Sequence, residues 1–225
     1  MSHPMNGFRY IHKAIRHELD ALEELGGRQG GEGLQTAVLA ERLGFLREVV
    51  RIHAAGEDEG PYPDLDGRVP QVTRSYALDH QFEETLFDQV EAALARLRTA
   101  PAGNGQGEPA RLLHRRLIAL NATLSLHIWK EEEQLLPLLD EHYSLEQEAV
   151  MAGQAVEHIP PHIMQPLLPW MLDALTADER ADLLRTIGGT MPAEAFHALG
   201  TGLKAHFSPA DWSAVTVRLP EMASV

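Results

Sequence analysis

The chain has 225 residues, 44% of them hydrophobic, and its 33 acidic and 19 basic side chains give a formal net charge of -14. This charge repels phosphate backbones, so nucleic acid is not expected to be the main partner. Because the sequence contains no cysteine, it excludes disulfides, thiolate zinc sites, iron–sulfur clusters and cysteine nucleophiles, and any bound metal must be held by nitrogen and oxygen atoms.

Four long segments show helical periodicity, in chain order at about residues 8–25, 34–55, 73–98 and 109–142. The first stops at Gly26-Gly27, a common C-terminal signal, and Pro137 is expected to kink or end the fourth. An up-down four-helix bundle is the simplest arrangement that buries four apolar stripes around one axis.

The remaining third of the chain is also helical in pattern. Ser144 and Gln147 have the spacing of a capping box, as do Thr176 and Glu179, and both pairs predict helix starts. Prolines and a glycine pair divide this region into short helices. We therefore predict an all-α protein, with a four-helix bundle at residues 1–143 and a helical extension packed on it at residues 144–225.

Membrane insertion and secretion are not predicted. No stretch of the sequence approaches the roughly 20 apolar residues that span a bilayer. Residues 1–10 lack the basic start and apolar run of a secretory signal. We expect a cytoplasmic protein.

Two of the helices end an apolar stripe in the same way, with a histidine followed four residues later by a glutamate. His53 and Glu57 end the stripe of the second helix. His127 and Glu131 end that of the fourth, and a proline follows each glutamate at the same distance. This internal repeat predicts two helix pairs related by approximate two-fold symmetry, which would present equivalent ligands to two metal ions.

The other two helices contribute one inward-facing histidine each. His12 shares a stripe with apolar residues of the first helix, whereas His17 has charged neighbours, so we choose His12 as the ligand. His80 lies on the inward side of the third helix. Its carboxylate partner stays open, because Glu84 repeats the four-residue spacing whereas Glu83 lies nearer the centre of the apolar stripe.

Several inward imidazoles and carboxylates need a common explanation, since each is costly to bury without partners. Four imidazoles and two or three carboxylates are about the ligands that two ferrous or ferric ions need, and Glu57 and Glu131 are placed to bridge them. A ferritin-like site would need Glu-x-x-His in paired helices, which this pattern does not match. For Tyr62 and Tyr76 we expect packing, although either hydroxyl is a candidate donor to bound oxygen.

The ligand pattern and its flanking text resemble hemerythrin-like, or HHE cation-binding, domains, among them the hemerythrin domains of plant BRUTUS-type iron-regulated proteins. The matching segments are residues 8–22 (FRYIHKAIRHELDAL), 75–88 (SYALDHQFEETLFD) and 127–175, which includes HIWKEEEQLLPLLDEHYS and LPWMLDAL. The resemblance implies a hemerythrin-like bundle with a di-iron centre, bridged by carboxylate, oxo or hydroxo groups, that binds or reacts with dioxygen or peroxide. Manganese is less expected than iron.

The resemblance also implies a division of the ligands between the two ions. His12 and His53 would serve one iron, and His80 and His127 the other. The bridging carboxylates would be Glu57 and Glu131.

One position departs from the oxygen-carrying hemerythrins. Glu84 stands where those proteins have a second histidine on the third helix. A carboxylate there is a harder ligand that favours the ferric state, so oxidase, peroxidase-like or iron-sensing chemistry is more expected than reversible oxygen carriage. The sequence does not choose between a redox enzyme, with or without a small organic substrate, and a non-catalytic protein that senses or binds iron or oxygen.

Overall fold

The computed structural model describes residues 6–28, 36–101, 106–157 and 159–223. Helices and their connections make up these ranges, and they contain no β-strand. The prediction of an all-α protein is therefore confirmed. None of the helices in these ranges combines the length and apolar character needed to cross a bilayer.

The N-terminal helices match the four predicted long segments and add one short helix. They are α1 (Asn6–Gly27), α2 (Thr36–Glu59), α3 (Pro61–Arg68), α4 (Arg74–Thr99) and α5 (Gly107–Lys130). The long segments correspond to α1, α2, α4 and α5. The short α3 begins with a proline at its first position, where the missing N–H costs no hydrogen bond.

The predicted fourth segment does not end at Pro137 but changes its winding just before it. A π-helical turn, Glu131–Leu135, joins α5 to α6 (Leu136–His142). Proline cannot donate the helical hydrogen bond to the preceding turn, and its ring crowds the carbonyl four residues earlier. The wider turn accommodates Pro137 and lets the chain continue as a helix.

The C-terminal part of the described chain consists of shorter helices. They are α7 (Leu145–Glu157), α8 (Pro161–Asp173), α9 (Ala177–Gly188), α10 (Ala193–His206) and α11 (Pro209–Arg218), followed by a 3-10 turn at Pro220–Met222. Both predicted capping boxes are confirmed. The backbone N–H of Gln147 donates to Ser144 Oγ at 3.3 Å, and that of Glu179 donates to Thr176 Oγ1 at 3.4 Å.

Ion pairs show that α2 and α4 run antiparallel. Arg47 pairs with Asp88 at 2.6 Å and with Glu91 at 2.8 Å. Arg51, one turn later on α2, pairs with Glu84, one turn earlier on α4, at 3.1 Å. The His53 and Glu57 end of α2 therefore lies beside the His80 end of α4.

The helices α1 and α5 also pack antiparallel. Asn121 Nδ2 donates hydrogen bonds to Asp20 at 3.0 Å and to Glu23 at 2.8 Å. Further along, the two helices come so close that a Cβ on Gly26 would overlap the side chain of Leu117. The interior of the bundle is formed by fully buried aliphatic and aromatic side chains, which are Leu19, Leu22, Leu39, Leu43, Leu46, Phe87, Leu113, Leu117, Leu120 and Leu124.

The described chain divides into two compact units. The first comprises Ile15–Pro160 and contains the bundle. The second comprises Asn6–Ala14 and the chain from Pro161 onward, and within it Tyr10 donates a hydrogen bond to Asp182 Oδ2 at 2.7 Å. The core of the second unit includes Leu172, Leu184, Leu203, Trp212, Val215 and Met222. The predicted boundary at residue 143 stays a prediction.

Candidate metal centre

The apolar stripes of α2 and α5 deliver polar side chains to one end of the bundle. On α2 the stripe of Leu39, Leu43 and Leu46 is buried, and the same helical spacing places Glu57 inside with only 2% of its surface exposed. On α5 the stripe continues to His127, which is 5% exposed, and to Glu131 in the π-helical turn, which is 1% exposed. On α4, His80 is also buried.

Four of the predicted ligands meet in the interior of the first unit. His127 Nε2 lies 2.9 Å from Glu131 Oε1 and 3.1 Å from His80 Nε2. His80 Nε2 lies 3.4 Å from Glu57 Oε2. Each of the four residues offers one ligand atom within 4.8 Å of the others, an arrangement suited to holding a metal ion.

A second group shares both carboxylates with the first. His53, on α2, has its Nε2 atom 3.4 Å from Glu57 Oε1, and its side chain is 13% exposed. His53, Glu57 and Glu131 also offer ligand atoms within 4.8 Å of one another. The two oxygens of Glu57 therefore face different histidines, Oε1 toward His53 and Oε2 toward His80. A carboxylate placed in this way can bridge two cations.

The predicted ligand His12 lies in the part of α1 that belongs to the second unit. Its side chain is fully buried. Within that unit its ring lies edge-on to Phe8, with 6.4 Å between the ring centroids.

The structure does not bring Glu84 into this cluster. Its side chain is 36% exposed and pairs with Arg47 at 2.7 Å and Arg51 at 3.1 Å. Partial burial raises the pKa of Glu84, but the two guanidinium groups outweigh it and hold that pKa below its ordinary value. Glu84 is thus an ionised carboxylate whose negative charge is balanced by the two arginines at the surface between α2 and α4.

The alternative carboxylate, Glu83, faces inward. It is 2% exposed, and its Oε1 atom lies 3.8 Å from His127 Nδ1. Among the described residues this oxygen has no hydrogen-bond partner. Burial raises the pKa of Glu83 to about 7. In the sequence, Glu83 lies near the centre of the apolar stripe of this helix, and this position agrees with its burial in the structure.

Two aspartates hold the outer nitrogens of the central histidines. Asp58 Oδ2 lies 3.2 Å from His80 Nδ1, and Asp79 Oδ2 lies 3.4 Å from His127 Nδ1. An imidazole that donates its Nδ1–H to a carboxylate presents the lone pair of Nε2 to a cation. Sequence reasoning missed both aspartates, although each is the immediate neighbour of a predicted ligand.

Tyr62 on α3 contacts three residues of the cluster. Its hydroxyl donates a hydrogen bond to Glu131 Oε1 at 2.7 Å and lies 3.4 Å from Glu57 Oε2. Its ring stacks on His80 with 5.9 Å between the centroids. Burial and the neighbouring carboxylates raise the pKa of Tyr62 well above its ordinary value. Packing was the expected role of this residue, and the structure adds a direct bond to a predicted ligand.

The electrostatics of the cluster favour a bound cation. Burial and the charge of Glu131 raise the pKa of Glu57 well above its ordinary value. Burial lowers the pKa of His127, but the carboxylates of Glu131, Glu83 and Glu57 outweigh it and raise that pKa to about 9. Two buried carboxylates this close together repel each other, and a metal ion would relieve the repulsion. Mixed imidazole and carboxylate donors suit iron or manganese better than calcium or magnesium, which prefer oxygen ligands alone.

A small cavity adjoins the histidines. Its volume is about 10 Å³, which is close to the room one water molecule needs. Apolar side chains form most of its wall, together with Glu83 and the three histidines of the cluster, His53, His80 and His127.

Comparison with known proteins identifies the family of the chain. Residues 3–139 match the Hemerythrin HHE cation binding domain. Zinc finger protein BRUTUS of Arabidopsis thaliana is 31% identical over 192 residues, and a BRUTUS-like zinc finger protein of the same plant is 30% identical over 195 residues. The match covers 85% of this chain and 15% of the length of each of these relatives. No solved structure shows significant similarity to the chain. The chain therefore belongs to the hemerythrin HHE cation-binding domain family.

Proposed function

We propose that the chain is a non-haem di-iron protein that binds or activates dioxygen or peroxide. The observation that carries the proposal is the sharing of Glu57 and Glu131 between two groups of ligand atoms. Two ions held side by side would each use a different histidine set while the same carboxylates bridge them. Imidazole and carboxylate are the ligands that non-haem iron uses in helical bundles, so we favour iron over manganese.

In this proposal His80 and His127 bind one ion, while His53 and His12 bind the other. We include His12 because the sequence places it on the apolar stripe of α1 that also holds Ile15 and Leu19.

The remaining residues of the site would orient the ligands and exclude water. Bound ferrous ions would supply the electrons that reduce dioxygen or peroxide. The hydroxyl of Tyr62 fixes Glu131, and the aspartates Asp58 and Asp79 fix the imidazole rings. Glu83 lies at the cavity wall, where its carboxyl can hold a proton beside a small bound molecule.

The size of the cavity favours a small reactant. A space of about 10 Å³ is close to the room of one water molecule, so dioxygen or peroxide would need only a small widening, whereas an organic substrate would require the helices to move apart. The same closure favours a second candidate function, which is non-catalytic sensing or binding of iron or oxygen. In that case occupancy of the centre would act through the stability of the fold rather than through turnover.

Metal analysis combined with optical spectroscopy tests the proposal. We expect about two irons per chain, and a band from oxo-to-iron charge transfer that disappears on reduction and returns in air. Protein purified with zinc alone, or protein that takes up no iron under anaerobic loading, would overturn it.

Oxygen consumption separates the two candidate functions. The reduced, iron-loaded protein is mixed with air-saturated buffer, with and without excess reductant, and the oxygen used per chain is measured. A single stoichiometric uptake supports sensing or binding, whereas continued consumption with added reductant supports a redox enzyme.

A further inference from the structure

One carboxylate oxygen joins a surface lysine to the interior of the site. Asp79 Oδ2 pairs with Lys130 Nζ and also lies 3.4 Å from His127 Nδ1. Lys130 and Asp79 have side chains that are 25% and 31% exposed. The ammonium of Lys130 further lies 5.4 Å from the centroid of the Tyr76 ring, which helps to hold it in place.

The other central histidine, His80, has a different environment. His80 Nδ1 lies 3.2 Å from Asp58 Oδ2. Within the part of the chain that the structure describes, no lysine or arginine pairs with Asp58. The two carboxylate–histidine pairs are therefore chemically unequal, because among the described residues a lysine pairs with Asp79 and none pairs with Asp58.

This inequality has an electronic consequence for the ligand atoms. A carboxylate that accepts the Nδ1–H bond pushes electron density onto the imidazole and makes Nε2 a stronger donor to a metal. A cation on the same carboxylate oxygen draws that density back. His127 is only 5% exposed, so solvent screens these charges weakly around the ring.

We propose that Lys130 is a positioning residue that acts through Asp79 to weaken the binding of metal by His127, so that His127 is a poorer donor than His80. The inference rests on the proposed function, in which both histidines are ligands. Lys130 would thereby raise the reduction potential of the centre, since weaker donation favours the ferrous state.

Two substitutions in the full chain test whether the Lys130–Asp79 ion pair adjusts metal binding by His127 or only stabilises the fold. Both Lys130→Met and Asp79→Asn remove the ion pair, but only the first leaves a carboxylate on His127. We expect Asp79→Asn to lower the affinity for Co²⁺ by about tenfold or more and to raise the reduction potential of the iron-loaded protein. We expect Lys130→Met to raise the affinity severalfold and to lower the potential. Lys130→Arg, which keeps the charge, should resemble the wild type.

A matched control breaks a different ion pair close to the site. Arg16 pairs with Glu132, the residue after Glu131. Arg16→Met should leave the Co²⁺ affinity within about twofold of the wild-type value and should not shift the reduction potential.

Co²⁺ affinity is measured by competition with a chelator, and circular dichroism checks the fold of each variant. If the wild type binds Co²⁺ and both Lys130→Met and Asp79→Asn shift its affinity in the same direction, or neither shifts it, the inference fails while the proposed centre stands. If the wild type takes up neither Co²⁺ nor iron, the centre and the inference fall together.

Discussion

Tyr62 donates a hydrogen bond of 2.7 Å to Glu131, so a residue from the short helix α3 fixes a carboxylate on the π-helical turn. Tyr62→Phe removes this donor without changing the shape of the ring. Bonds from neutral donors to buried charged acceptors contribute about 1.5–3 kcal/mol, so the free energy of unfolding should fall by about that amount. Iron should bind more weakly while the helical content is kept.

The matched control for this prediction is Tyr76→Phe. The Tyr76 hydroxyl has two long contacts, 3.4 Å to Lys130 O and 3.4 Å to Gln134 Oε1, and neither partner is a predicted ligand. Urea unfolding and iron titration should therefore show a smaller loss for Tyr76→Phe. An equal loss in both variants would mean that the bond to Glu131 has no special role.

Glu57→Gln should change metal binding and apoprotein stability in opposite directions. A neutral amide removes the repulsion between two buried carboxylates, so the metal-free protein should become more stable by roughly 1 kcal/mol. The same change removes the carboxylate that faces both His53 and His80, so iron content should fall from about two to less than one per chain. Unfolding in urea and metal analysis measure the two effects.

The outcome that contradicts this prediction is a metal-free Glu57→Gln protein that is less stable than the wild type and still holds two irons. Glu57 would then have a structural role alone. His17→Ala is a useful reference in both assays, because His17 is exposed on α1 and should leave stability and metal content unchanged.

Glu83 and Glu84 can be distinguished by parallel glutamine variants. Glu84→Gln weakens the pairs with Arg47 and Arg51 at the surface, so it should cost at most about 1 kcal/mol of stability and leave metal affinity unchanged. Glu83→Gln alters a buried group 3.8 Å from His127 and should change metal affinity measurably. Isothermal titration of both variants with Co²⁺ checks this. A loss of affinity confined to Glu84→Gln would reverse our reading of the α4 carboxylates.

These two neighbours also show where sequence analysis reached its limit. The helical period identifies the inward stripe, and the repeated histidine and glutamate at the ends of α2 and α5 follow from it directly. Glu83 and Glu84, however, are only about 100° apart on α4. The position of Arg47 and Arg51 on the neighbouring helix decides between them, since these cations hold Glu84 at the surface. That information depends on how α2 and α4 pack.

The parts of the site that sequence analysis missed all come from outside the apolar stripes. Asp58 and Asp79 act across helices, each on a histidine of the next long helix, so their role depends on the register between helices. Tyr62 contacts Glu131 from the separate short helix α3, a contact that the stripe of neither long helix indicates. Helical periodicity describes one helix at a time and cannot reveal such contacts between elements.

The stability of the metal-free protein should fall as the pH rises from about 5 to 9. In the fold, burial raises the pKa of Glu83 from 4.5 to about 7, so the carboxyl keeps a proton that the unfolded chain releases. The carboxylates around His127 raise its pKa from 6.5 to about 9 against the effect of burial. Its contribution is therefore complete below pH 6.5 and lost as the pH rises through 9. Both groups bind more protons in the folded state than in the unfolded state, so both lower the free energy of unfolding as the pH rises.

Groups with lowered pKa values make the free energy of unfolding rise with pH, but they do so in a more acidic pH interval. The stabilising contributions of Glu84 and Glu179 are lost only in acid, below about pH 4.5, so they are complete throughout the interval from 5 to 9.

Bound metal should reverse the fall in stability between pH 5 and 9, because cations compete with protons for the same carboxylates and imidazoles and bind better as the pH rises. Thermal unfolding at pH 5.5, 7 and 9, with and without bound Co²⁺, measures both slopes. Metal-free protein that gains stability over this interval would show that the buried cluster does not hold the extra protons, and the electrostatic reason for a cation at this place would be lost.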